Sequence, residues 1–178
     1  MKTINVPTKE QVSPESQEIF DIISKKMGKV TNLYATIGYS PITLKAMLDF
    51  EGAFNNGIFN AKEREAIYLA VSQVNHCDYC LAAHTMLAGM KGYTTEEILN
   101  LRRGIAEYPK LQATVHLAKE IAENKGNVNT FVKNSFFDAG YDEAALMELT
   151  SLVALRTFTN YVYALTEIPI DFPEVEEI

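Results

Sequence analysis

The amino-acid sequence predicts an all-α fold. Three observations carry that expectation. Alternating apolar and polar residues, the pattern of a half-buried strand, are almost absent. Helix-opening residues recur along the chain. A long apolar segment near the C-terminus keeps helical spacing and ends just before a proline.

The helices follow in order. Ser13-Pro14 pairs an N-cap with a first-turn proline, and Ile19, Ile22, Ile23 and Met27 belong to the expected apolar stripe behind it. Ser40-Pro41 repeats the device ahead of ITLKAMLDFEGAF. Asn60 followed by Glu63 makes a capping box for a helix through EREAIYLAVSQV. Asn75 is expected to cap the next helix, from about Cys77 to Gly89. TTEEILNLRR opens with threonine and carboxylates and closes with arginines, the order the helix dipole favours. Pro109 opens a helix that Gly126 stops. Asn129 caps TFVKNSFFDAG, and Asp142 caps EAALMELTSLVALRTFTNYVYALTEI. That last helix is apolar on nearly every side, so it is expected in the centre of the core or against a second subunit. DFPEVEEI reads as an acidic tail.

With 178 residues, 47% of them hydrophobic, the chain is read as a single domain over 1–178, with its core over about 41–168. The formal net charge is -7, and no run of Lys or Arg is long enough to track a phosphate backbone. Nucleic acid is therefore not an expected partner. No stretch reaches the roughly 18 apolar residues of a membrane span. MKTINVPTKEQVSPES carries no apolar run of signal-peptide length, so a cytoplasmic protein is expected.

The densest chemical signal is HCDYCLAAH, residues 76–84, which holds both cysteines and two of the three histidines. In a reducing compartment a close cysteine pair points to redox work or metal binding rather than to a structural staple. A disulfide across so short a loop adds little stability. On one helix, Cys77, Cys80 and His84 fall within an arc of about 60°. Cys77 in the first turn meets free N–H groups and the helix dipole, which favour a thiolate. If the preceding helix folds back as an antiparallel partner, Glu65 comes level with His84. A carboxylate then orients a histidine, and the histidine exchanges a proton with a thiol. Tyr79 and His76 are auxiliary candidates, while His116, with no acidic or cysteine neighbour at helical spacing, is read as structural.

Glu65, Cys77, Cys80 and His84 form E-x11-C-x2-C-x3-H, which resembles the signature of the alkyl hydroperoxidase D (AhpD) family. That family sits in the carboxymuconolactone decarboxylase-like superfamily. The resemblance extends through EREAIYLAVSQVNHCDYCLAAHTMLAGMKGYTTEEI and, more loosely, from Pro41 to the closing RTFTNYVYALTEIPIDFP. It implies an all-helical trimer or hexamer with thiol peroxidase activity. Cys80 would be peroxidatic, Cys77 its resolving partner, and Glu65 and His84 a proton relay. The resemblance also implies a hydroperoxide substrate and a lipoamide- or thioredoxin-type reductant, with no metal and no bound cofactor. Where well-studied members carry a further histidine before the second cysteine, this chain has Tyr79, so a shorter relay or a Tyr79 hydroxyl is expected. Three enzyme or metal alternatives stay open: a general disulfide oxidoreductase or redox sensor, a zinc site on Cys77, Cys80 and His84 with His76 or Glu65 as a fourth ligand, and lactone decarboxylation. A non-enzymatic scaffolding role is the fourth.

Overall fold

The computed structural model describes residues 3–178; Met1 and Lys2 lie outside the described residues. Among the described residues the regular structure is helical: α1 Pro14–Met27, α2 Asn32–Ile37, α3 Pro41–Ala53, α4 Ala61–Val74, α5 Asp78–Met90, α6 Thr95–Arg103, α7 Pro109–Glu123, α8 Thr130–Asp138 and α9 Glu143–Thr166, with short 3-10 turns at Lys9–Gln11 and Phe54–Asn56. No strand occurs among those residues.

Local chemistry sets most of the boundaries. Ser13 and Ser40 accept backbone N–H groups at the starts of α1 and α3, each with proline in the first turn. The Asn60–Glu63 capping box opens α4, and Thr94–Glu97 forms another for α6. Asn129 and Asp142 cap α8 and α9. At the far end of α9, Glu167 takes a left-handed conformation two residues before Pro169 and stops the helix.

The central helix is α4, not α9. Residues Glu65 to Ser72 are all buried, which requires neighbours on every side. Those neighbours are α5, α6, α7 and α9. One face of α4 joins the larger core through Ile67, Tyr68 and Val71; another joins a smaller core through Ala66, Leu69 and Ala70. By contrast α9 buries one face, including Leu149, Leu152, Arg156 and Asn160, and leaves Met147, Tyr161 and Leu165 in solvent. Of the two places expected for α9, the centre of the core is corrected: its apolar residues encircle it, but the chain supplies neighbours for only part of that circle.

Two further expectations are corrected. In α1 the buried positions are Ser16, Phe20 and Ile23, while Ile22 and Met27 are exposed. Ser16 is admitted to the core because its hydroxyl donates to the Gly38 carbonyl at 2.7 Å. The C-terminal segment is no free acidic tail. Asp171 pairs with Lys29 at 2.9 Å, Phe172 packs edge-on against Tyr79, Val175 joins the smaller core, and the Glu176 carbonyl accepts from the buried Arg102.

Candidate active site: a buried dithiol beside a carboxylate–histidine pair

α4 and α5 pack as an antiparallel hairpin. Glu65 meets His84, and Lys62, nearer the start of α4, reaches Gly92 beyond the end of α5. The turn between them is short. Asn75 closes α4, His76 takes a left-handed φ of 51, and Cys77 is itself the N-cap of α5. The expected cap, Asn75, is thus one helix too early. Its side chain instead donates to Asn160 of α9 at 2.8 Å. Asn160 in turn donates to Ser72 at 3.4 Å, so α9 holds the turn from the side.

Cys77 and Cys80 are free thiols, each 1% exposed. The Cys77 sulfur accepts the Cys80 backbone N–H at 3.3 Å. One turn further along α5, His84 Nδ1 lies 2.7 Å from Glu65 Oε2, with Glu65 8% and His84 5% exposed. The Tyr68 ring connects this pair to α9. Its centroid is 5.0 Å from that of His84, and the Arg156 guanidinium carbon sits 4.1 Å above it.

The two sulfurs differ electrostatically. Cys80 is lowered to about 6, first by a hydrogen bond from Cys77, then by the charge of Arg156 and by His84, with burial opposing. Cys77 is pushed up, first by that same shared hydrogen bond, then by burial and by the neighbouring Cys80 charge. Sequence reasoning favoured a thiolate at Cys77 from its place at the helix start. The N–H bond to its sulfur is present, but burial and the second sulfur outweigh it. Two adjacent thiols do not ionise together, and the cation and the histidine favour Cys80.

The other candidates lie elsewhere. The Tyr79 hydroxyl donates to Asp171 at 2.6 Å and accepts from the Leu33 N–H at 3.1 Å, which ties α5 to α2 and the C-terminal segment. Burial and the Asp171 contact push its pKa up, so it stays a neutral phenol. His76 is exposed at the turn, and His116 is exposed on α7 rather than packed within the structure. Arg156 and Asn160 were not anticipated. Their signal is two strongly polar residues four apart, and so on one face, of an otherwise apolar helix. No cluster of three or more His, Cys, Asp or Glu suited to a metal occurs among the described residues. A surface cleft of about 540 Å³, lined by Lys62, Tyr93, Asn100 and Tyr108 among others, includes none of the dithiol residues.

Residues 41–123 match the carboxymuconolactone decarboxylase family. No curated protein sequence matches the chain. Among solved structures, an uncharacterized peroxidase-related protein with an alkylhydroperoxidase AhpD core, from Ralstonia eutropha JMP134, matches with a TM-score of 0.80 at 18% identity, over 99% of this chain and 95% of its own. An uncharacterized peroxidase-related protein from Silicibacter sp. TM1040 matches at 0.79 and 19% identity, over 94% of this chain and 92% of its own. The debrominase Bmp8, as a cysteine-to-alanine variant in complex with 2,3,4-tribromopyrrole, matches at 0.80 and 14% identity, over 96% of this chain and 92% of its own. At such identities the likeness establishes the fold.

Proposed function

Because residues 41–123 match the carboxymuconolactone decarboxylase family and the chain carries the AhpD-like helical fold, we propose that it is a thiol-dependent peroxidase working through Cys77 and Cys80. One observation carries the reading: a buried dithiol with its lower pKa on Cys80 shares a helix with a histidine held by a carboxylate.

The Cys80 thiolate attacks the terminal oxygen of a hydroperoxide, breaking the O–O bond. Sulfur gives up two electrons and becomes a sulfenic acid. The departing alkoxide takes a proton relayed through His84 and leaves as the alcohol. Glu65 accepts from His84 Nδ1 and so fixes the ring, which leaves Nε2 for proton exchange. The Cys77 thiol, held protonated until then, loses its proton and attacks the Cys80 sulfur. Water departs and the disulfide closes. An external dithiol reduces that disulfide by exchange.

Burial favours this reading over a general disulfide oxidoreductase. Both sulfurs are 1% exposed, so a small peroxide reaches them more readily than another protein's disulfide. The same argument favours a slender lipoamide-type donor over a domain-sized thioredoxin. A reduced dithiol suits the cytoplasm.

The test is peroxide consumption by reduced protein with tert-butyl hydroperoxide, supplied in parallel with dihydrolipoamide and with thioredoxin plus its reductase. Turnover is expected in the wild type and absent in Cys80→Ser. Equal consumption by Cys80→Ser would reject the assignment. Faster turnover of an insulin disulfide than of peroxide would favour the oxidoreductase.

A further inference from the structure

We propose that Arg156 is the cation that holds Cys80 ready as a nucleophile, positioned for that role by the Tyr68 ring. The inference rests on the reading of Cys80 given above and adds a residue to it.

Arg156 lies on the buried face of α9 and is 6% exposed. Its Nη1 donates to the Thr159 hydroxyl at 3.2 Å, and its guanidinium plane lies over Tyr68. Nε is buried and has no hydrogen-bond partner. Arg156 forms no ion pair with a carboxylate among the described residues. A buried guanidinium stays charged, and an unpaired buried charge is costly unless an anion faces it. Four groups face it from four helices: Tyr34 of α2, Glu51 of α3, Tyr68 of α4 and Cys80 of α5. Burial pushes Tyr34 and Tyr68 up, so both are neutral phenols. Glu51 accepts the Tyr34 hydroxyl at 3.0 Å. Cys80 is the acid whose ionisation changes in the working range of pH, and no carboxylate lies within ion-pair distance of Arg156 to neutralise it first. The groups facing Cys80 in turn are Cys77, Arg156, His84, Asn160 and, more weakly, Tyr163.

The position also explains Tyr68. Its ring touches both His84 and Arg156, so it fixes the proton carrier and the cation relative to each other. Cation–π contact satisfies a guanidinium face without neutralising it. A carboxylate in that place would draw the charge away from the thiol.

The experiment measures thiol reactivity, not turnover. Reduced full-length wild type, Arg156→Met and Arg156→Lys are alkylated with iodoacetamide across pH 4–9, and mass spectrometry assigns the rate to Cys80. The midpoint in Arg156→Met should rise by about one unit or more, with alkylation about tenfold slower below the wild-type midpoint. Arg156→Lys should recover most of the shift, because it restores charge without the planar fork. An unchanged midpoint in a helical Arg156→Met protein would overturn the proposal and leave Arg156 a packing residue. Should that variant fail to fold, Tyr68→Leu loosens the cation without removing it; a raised midpoint supports the proposal and an unmoved one contradicts it. The reading of Cys80 fails separately: if Cys80→Ser consumes peroxide normally, the peroxidase is lost while alkylation still decides Arg156.

Discussion

Cys80 and Cys77 stand three residues apart but meet different surroundings. One sulfur faces Arg156 and His84; the other caps the helix and keeps its proton. This asymmetry sets a direction with pH. A thiol lowered to about 6 is mostly thiolate above that value and loses its charge as pH falls through it. Peroxide consumption should therefore hold near neutrality and decline below about pH 6, as a stopped-flow pH series would read. In Glu65→Gln, His84 loses its negative partner at 2.7 Å. We expect turnover to fall by roughly a hundredfold while circular dichroism stays helical. A loss below twofold would remove the relay from the mechanism. These residues were legible in the sequence because spacing along two adjacent helices places Glu65, Cys80 and His84. Arg156 and Asn160 were not, because their partners Tyr68, Ser72 and Cys80 lie far away along the chain.

Helix boundaries were legible where the chemistry is local. The boxes at Asn60 and Thr94 and the caps at Ser13, Ser40, Asn129 and Asp142 need no partner beyond their own first turn. Replacing Asn60 with Ala should cost about 1 kcal/mol in denaturant unfolding, because two N–H groups lose their acceptor. What the sequence did not reveal depends on distant contacts. The six-residue helix α2 is held by Tyr79 and Asp171, and Cys77 caps α5 because Asn75 is drawn away to Asn160. Tyr79→Phe deletes the hydroxyl that joins α2, α5 and the C-terminal segment. Stability should fall by about 1–2 kcal/mol while peroxide turnover stays near wild type. A large loss of turnover without loss of stability would return Tyr79 to the relay.

At the scale of the molecule, α4 belongs to both cores. The two should therefore unfold in one cooperative transition, monitored by circular dichroism. The outer face of α9 has the opposite character. Met147, Ala154, Tyr161 and Leu165 recur at helical spacing on its exposed side, and Leu165 is 81% exposed. We expect a trimer or hexamer to cover that stripe. Light scattering should give three or six times the 19.9 kDa chain mass, and Leu165→Glu should lower it. A wild-type mass of one chain would reject the oligomer. The central claim is that these two buried sulfurs turn a peroxide into an alcohol by closing on each other. Reduced protein mixed with less than one equivalent of tert-butyl hydroperoxide, quenched with an alkylating agent and analysed by mass spectrometry, tests it most directly. The account predicts one Cys77–Cys80 disulfide per peroxide consumed, and a sulfenic acid on Cys80 alone in Cys77→Ser. Peroxide consumed while both thiols remain free for alkylation would contradict it.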